Sequence, residues 1–154
     1  MQKKIIHIII LLFLSSSFTF SQDADPILIF SGRVTDPYGK KLDGVQVIVK
    51  KDNQPFKQGM TSGGKYNAIE APFGFVYSIT FKKNRFVSKS LVLDAKKGFF
   101  KEDVEPQTFI EPSISLFLEE PDVDYSIVTS SPVGKARIDP STGKIDWDYT
   151  YLGQ

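Results

Sequence analysis

The stretch that decides the fold is residues 30–50, which read FSGRVTDPYGKKLDGVQVIVK. Two runs of β-prone residues flank a segment that contains Asp36-Pro37, Gly39 and Asp43-Gly44, which are residue types typical of tight turns. Every second residue of 45–49 is valine, and this period of two is the pattern of a strand with one buried face. The stretch therefore predicts a strand, a tight connection and a second strand.

The sequence on either side of this stretch continues the same pattern. Short β-prone runs alternate with turn residues, and no segment has the periodicity of a helix. Such spacing is typical of an antiparallel sandwich or barrel. We therefore predict an all-β protein with seven strands, at residues 27–35, 45–50, 56–61, 65–70, 76–82, 86–94 and 108–118.

Five short motifs follow one another in a specific order, namely Gly32-Arg-Val-Thr-Asp36, Leu42-Asp-Gly-Val-Gln-Val47, residues 61–66 ending in Gly-Lys-Tyr, Tyr77-Ser-Ile-Thr-Phe81 and Phe86-Val-Ser-Lys-Ser90. In this order they resemble the carboxypeptidase regulatory-like domain. The resemblance implies an antiparallel, seven-stranded, transthyretin-like (prealbumin-like) sandwich over residues 27–118 that serves as a non-catalytic accessory module. Similar domains occur beside metallocarboxypeptidase domains, at the front of outer-membrane receptors and in short exported proteins of some Gram-negative bacteria.

The sequence departs from the family pattern at one turn. Arg85 stands where the family usually has glycine before an aromatic residue. Asparagine tolerates the left-handed backbone conformation. We therefore expect either that Asn84 supplies the left-handed residue or that the turn differs from that of the family.

The N-terminal residues have the features of a secretory signal. Lys3 and Lys4 precede an apolar run at residues 5–14, and Thr19 and Ser21 occupy the small positions required for cleavage before residue 22. The run is too short for a membrane span, which needs about 20 apolar residues, and the chain has no cysteine for a lipid anchor. We predict a signal peptide at 1–21, a flexible lead at 22–26 and no transmembrane span after cleavage.

Charge is distributed unevenly along the chain. Residues 33–101 contain 14 Lys and Arg against 5 acids, whereas residues 102–154 contain 3 against 11. The ordinary interpretation is that the lysines solubilise strand exteriors. The alternatives are that the acidic tail folds against its own basic body, or that the body meets an anionic surface such as lipopolysaccharide or an acidic protein.

The C-terminal extension, residues 119–154, has a pattern of its own. Residues 136–148 predict a hairpin that turns through 139–143. If its second arm stays extended, one face carries Ile145, Trp147, Tyr149 and Tyr151. This aromatic stripe either packs over the sandwich as a satellite core, which we favour, or offers Trp147, Tyr149 and Tyr151 to a sugar or a partner strand.

Catalytic chemistry is largely excluded by residue type. The only histidine, His7, lies in the predicted signal and there is no cysteine, which excludes His/Cys zinc sites and Ser-His or Cys-His catalysis. The stretch Gly59-Met-Thr-Ser-Gly-Gly-Lys-Tyr66 nearly spells a phosphate-binding loop, but no helix can follow it, so we interpret it as a hairpin. Calcium-loop spacing is absent from the acidic tail, whose candidate residues are Asp139, Ser141, Gly143, Asp146 and Asp148.

These observations predict a protein that is not an enzyme and holds no cofactor or metal. No carboxylate pair stands in an apolar setting, as a hydrolase would require, and the basic residues lack the aromatic interleaving of a nucleic-acid surface. We expect an exported accessory or interaction module of the bacterial cell envelope, in the periplasm or at the outer membrane or cell surface, with an envelope or outer-membrane protein as partner. The alternative is a carbohydrate-binding module that holds a polysaccharide on the aromatic stripe.

Overall fold

The computed structural model describes residues 27–97, 107–139, 142 and 144–148, and these residues form two β-sheets that pack against each other. The predicted signal and lead lie outside the described residues. The described elements are β1 (Ile27–Thr35), β2 (Gln46–Lys51), β3 (Gln54–Met60), β4 (Lys65–Pro72), β5 (Val76–Lys82), β6 (Lys89–Asp94), β7 (Gln107–Ile110), β8 (Ser113–Ser115), α1 (Ser126–Ser130), β9 (Gly134–Ile138) and β10 (Ile145–Asp148).

The two sheets confirm the all-β prediction. In the first sheet β4 lies on one side of β1, and β7 and β8 follow each other along the other side. The second sheet has the order β10-β9-β6-β5-β2-β3. The helix α1 was not predicted, and it is a single short turn with no buried residue.

Strand pairing is mixed in both sheets, so the prediction of purely antiparallel pairing is wrong. β7 and β8 run parallel to β1, and β9 runs parallel to β6. Each parallel pair joins strands that are far apart in the chain. Hairpins enforce antiparallel pairing, whereas long connections allow parallel pairing, and the local pattern of a strand carries no signal for either.

The predicted strand at residues 108–118 is divided into β7 and β8. Pro112 lies at the break, and proline cannot donate a backbone hydrogen bond to a ladder. Residues 27–118 thus contain eight described strands rather than the predicted seven, and the C-terminal hairpin brings the described part of the chain to ten.

One hydrophobic core fills the space between the sheets. Val45, Val47 and Val49 are fully buried, as their alternation predicts. Aromatic rings join the sheets, since Phe30 meets Tyr77 with ring centroids 5.5 Å apart. The remaining buried apolar residues include Leu28, Val34, Tyr66, Ile79, Phe81, Leu91, Leu93, Ile110, Leu116, Ala136 and Ile138.

The C-terminal hairpin forms as predicted and is part of the second sheet. β9 and β10 are antiparallel, with Ile138 opposite Ile145, and β9 continues the sheet beyond β6. Ala136 and Ile138 are buried in the common core. The Arg137 guanidinium and the Asp146 carboxylate form an exposed ion pair of 2.9 Å on the outer face.

The turn before β6 places Arg85 itself in the left-handed conformation. Its φ is +66°, and the Phe86 N–H donates to the Lys83 carbonyl over 3.0 Å to close the turn. Of the two expectations for this turn, the assignment of the left-handed residue to Asn84 is therefore wrong. A side chain at positive φ is strained because its Cβ approaches the backbone.

We predict that Arg85→Gly raises the free energy of unfolding by about 1 kcal/mol, because glycine relieves the strain at positive φ. Urea unfolding followed by circular dichroism measures the change. The matched control is Arg85→Ala, which removes the charge but keeps Cβ, and it should shift stability by less than about 0.5 kcal/mol. An equal gain in both variants would mean that the side chain, rather than the backbone conformation, is unfavourable.

Candidate functional sites at the open edges of the sandwich

The sandwich is open between β7–β8 of the first sheet and β9–β10 of the second. A groove of about 500 Å³ lies there, and we call it the aromatic groove. Phe109, which is 57% exposed, and Trp147 supply its rings, and Glu111 supplies a carboxylate. Aromatic rings combined with a carboxylate can stack a sugar ring and accept hydrogen bonds from its hydroxyl groups.

Trp147 belongs both to this groove and to the edge of the core. A Cβ at Gly134 would lie 3.5 Å from Cζ3 of the indole and 2.6 Å from Cδ2 of Leu91, so the ring sits close over the backbone of β9. Ile145 and Trp147 are partly buried against the core, while Asp146 and Asp148 are exposed on the other face.

For Ile145 and Trp147 the structure supports the interpretation of the stripe as a satellite core. Tyr149 and Tyr151, the other two members of the predicted stripe, lie outside the described residues. Of the three predicted ligand-surface residues, the structure therefore places Trp147 in a groove, and the role of the other two stays a prediction.

A second open edge is formed by β3, which is the last strand of its sheet. Six of its seven residues are exposed, including Met60 at 66%. Thr61 lies just beyond β3, and both of its backbone groups point away from the open edge. Its N–H donates to the Val45 carbonyl, and its carbonyl accepts from the Gly44 N–H. Because these directions alternate along an antiparallel strand, the backbone groups of Gln58 and Met60 point outward.

The outer side of β3 faces the edge of β4 in the other sheet. A groove of about 300 Å³ lies between the two strands. The one charged side chain of β3, that of Lys57, turns toward β4 and donates to the Glu70 carbonyl over 2.8 Å. Sequence reasoning predicted a strand here but not an edge, because the position of a strand in its sheet is set by residues distant in sequence.

Residues 62–65 form a tight turn rather than a phosphate loop, but the prediction of a hairpin is wrong, because the strands on either side, β3 and β4, belong to different sheets. Ser62 and Lys65 exchange backbone hydrogen bonds of 2.8 and 3.0 Å across Gly63 and Gly64, whose φ values are both positive. The turn carries the chain from one sheet to the other. Among the described residues no group of three or more His, Cys, Asp or Glu side chains is arranged to hold a metal ion.

The acidic segment 119–124 begins beside the basic turn at residues 83–85. Glu119 donates its N–H to the Arg85 carbonyl over 2.9 Å, and Leu118 pairs with Phe86. Glu119 thus contacts the basic body through its backbone, whereas the ion pair of Arg137 with Asp146 lies within the tail, so the charge-based alternative stays a prediction. Lys83 and Lys89 nearby donate to the carbonyls of Asp43 and Ser115, over 2.6 Å in each case.

No protein-family model matches the chain, and no curated protein matches it. Among solved structures the chain is similar to 3-chlorocatechol 1,2-dioxygenase from Rhodococcus opacus 1CP, with a TM-score of 0.46 and 13% sequence identity. The match covers 64% of this chain and 62% of that one, so this chain spans less than two thirds of the length of that enzyme. Within the described residues, no helix has the length and apolarity needed to cross a membrane.

We predict that Trp147→Ala lowers the free energy of unfolding by about 2–3 kcal/mol, because the partly buried indole covers Gly134 and Leu91. Urea unfolding followed by circular dichroism measures the loss. The control is Tyr38→Ala, since Tyr38 is 95% exposed and its removal should change stability by less than about 0.5 kcal/mol. An unchanged unfolding midpoint for Trp147→Ala would show that the ring does not contribute to the core.

Proposed function

We propose that this chain is an exported, non-catalytic interaction module of the bacterial cell envelope, and that it binds an extended segment of an envelope protein along β3. The finer fold assignment belongs to the same proposal: residues 27–118 form a transthyretin-like sandwich of the carboxypeptidase regulatory-like type. The five ordered motifs and the signal-like N-terminus support this assignment. The periplasm and the outer membrane or cell surface are the compartments consistent with it.

The observation that carries the proposal is the unpaired edge of β3. The backbone groups of Gln58 and Met60 face outward, and no other described strand pairs with β3 on that side. Soluble proteins usually protect such an edge with charged or proline residues. Here Pro55 lies near the start of the strand, and the ammonium group of Lys57 is held at Glu70.

A strand from a partner matches this edge in both backbone and side-chain chemistry. Addition of a strand satisfies the outward N–H and carbonyl groups, and pockets for alternate side chains give specificity. The groove between β3 and β4 offers such a pocket, and Met60 offers an exposed apolar side chain whose flexibility suits it to binding surfaces. Neither feature requires catalytic groups.

We predict that Gln58→Pro abolishes co-purification of a stoichiometric protein partner from the cell envelope of the host, because proline removes an outward N–H. Cross-linking and affinity purification of the tagged mature protein measure the loss. The matched control is Gln58→Ala, which keeps the N–H and should retain the partner.

Circular dichroism of both variants must show the folded protein for this comparison to count. Recovery of the same partner with Gln58→Pro would place the interface elsewhere than on β3. Recovery of the wild-type protein without any protein partner would contradict the interaction-module proposal itself.

A second function, carbohydrate binding, is favoured by the aromatic groove. Phe109 and Trp147 present rings on either side of an opening that also carries Glu111. Stacking on aromatic faces together with a few polar contacts is a general way to hold a sugar ring. The predicted role of Tyr149 and Tyr151 as further parts of this surface belongs to the same proposal.

We predict that a polysaccharide ligand changes the fluorescence of Trp147, which is the only tryptophan of the chain. Titration of the mature protein with a panel of neutral and acidic polysaccharides measures the change. Phe109→Ala is the companion variant, since it opens the groove without removing the fluorophore and should weaken binding. Unchanged emission across the whole panel would contradict the carbohydrate-binding function.

A further inference from the structure

The first sheet has an opening where the pairing of β1 is interrupted on both sides. β7 pairs with β1 as far as Phe30, and β8 begins to pair at Arg33. On the β4 side the register shifts between Phe30 and Gly32. Ser31 therefore has no partner in either register, and such bulges often occur at binding sites because they re-aim groups out of the sheet.

The hydroxyl group of Tyr66 reaches this opening from the core side. The residue is 4% exposed, and its ring packs against Phe81 with centroids 5.7 Å apart. A Cβ at Gly32 would lie 2.7 Å from the Tyr66 hydroxyl oxygen, so the missing side chain makes the room for it. This oxygen is the one buried side-chain polar atom of the described residues that makes no hydrogen bond.

A buried hydroxyl group without a partner is unfavourable, and such an exception calls for an explanation. The packing of the ring does not explain why a hydroxyl group is present, because phenylalanine would pack equally well. Burial, reinforced by the charge of Glu111, raises the pKa of Tyr66 well above its ordinary value. The group therefore stays protonated and can donate a hydrogen bond at any physiological pH.

The outer side of the opening is a groove of about 400 Å³ that we call the tyrosine groove. Its other side chains are polar or charged, namely Ser31, Arg33, Lys65, Glu111 and Ser113. The groove thus contains two cationic side chains and one carboxylate. Oε1 of Glu111 accepts a hydrogen bond of 3.3 Å from Ser31, and the Tyr66 hydroxyl group makes no hydrogen bond to this carboxylate.

These groups select the chemistry of a ligand. A singly charged carboxylate can accept a hydrogen bond from Tyr66 and meet the charges of Arg33 and Lys65. A phosphate dianion fits less well because Glu111 cancels one of the two cations. Since Glu111 and Ser113 line both the tyrosine groove and the aromatic groove, the two sites are adjacent.

We propose that the tyrosine groove binds the carboxylate of an acidic sugar, a hexuronate, while a neighbouring sugar of the same oligosaccharide stacks in the aromatic groove. This inference rests on the carbohydrate-binding function proposed above and names its substrate class. Tyr66 donates a hydrogen bond to the uronate carboxylate, a group that a neutral hexose lacks. Arg33 and Lys65 supply the positive charge, and Glu111 and Ser113 face the sugar hydroxyl groups.

The test is calorimetric titration of the mature protein with an oligogalacturonide and with its methyl ester, which keeps the sugar rings but removes the charge. We expect the acid to bind about tenfold more tightly than the ester or better. Tyr66→Phe should weaken binding of the acid and leave only the smaller preference that Arg33 and Lys65 provide, because a lost hydrogen bond to a charged group costs about tenfold or more in affinity. Tyr38→Phe, at an exposed tyrosine, is the matched control and should change nothing.

Tyr66→Phe should keep its thermal midpoint or raise it, since it removes only an unpartnered hydroxyl group. Equal binding of acid and ester by the wild-type protein and by Tyr66→Phe would overturn the uronate site while leaving the carbohydrate function intact. Absence of binding to either oligosaccharide and to the wider polysaccharide panel would overturn both. A lowered midpoint together with unchanged affinity would show that the hydroxyl group has a structural partner and no ligand.

Discussion

The first sheet depends on the absence of a side chain at Gly32. A Cβ at this position would lie 2.2 Å from the Pro112 carbonyl oxygen and 2.7 Å from the Tyr66 hydroxyl group. Real structures do not tolerate such distances, so any other residue would force the link between β7 and β8 away from β1. The close approach of Pro112 to β1 and the position of the Tyr66 hydroxyl group beside the bulge therefore both depend on this one glycine.

Near this glycine, hydrogen bonds hold the loops at one end of the sandwich. Thr61, the one buried polar residue of the described chain, donates its hydroxyl to the Leu42 carbonyl over 2.7 Å and accepts the Val45 N–H over 3.0 Å. Asp43 accepts the Gly64 N–H over 2.7 Å. These bonds join the β1–β2 connection to the turn that changes sheets, so the start of β4, and Tyr66 with it, is fixed in place.

Much of the architecture could be predicted because local sequence patterns indicate it. The valines of β2, the alternation of β5 and the turn residues of the C-terminal hairpin each give the correct element. The parallel pairing of β9 with β6 and the edge position of β3 could not be predicted, because they depend on which strands meet. Arg85 adopts a backbone conformation that its residue type disfavours, and only the surrounding structure could impose it.

The candidate sites also differ in whether the sequence alone indicates them. Trp147 is visible in the sequence as a member of an aromatic stripe, and the structure places it in a groove. Tyr66 gave no such signal, since its importance rests on Gly32 and Glu111, which lie 34 and 45 positions away in the chain. A hydroxyl group without a partner is a property of three-dimensional neighbours, and no pattern of spacing contains it.

The parallel pairing of β1 with β7 and of β6 with β9 also bears on how the chain folds. Ile27 pairs with Gln107, 80 residues later, and Leu91 pairs with Gly134. Forming contacts between such distant residues costs chain entropy before the contacts stabilise the fold. This topology is therefore expected to fold slowly. Until residues 134–138 dock, β6 is itself an apolar edge that carries Leu91 and Leu93. The nascent chain is then exposed to aggregation along a strand whose two edges are both paired in the finished sandwich.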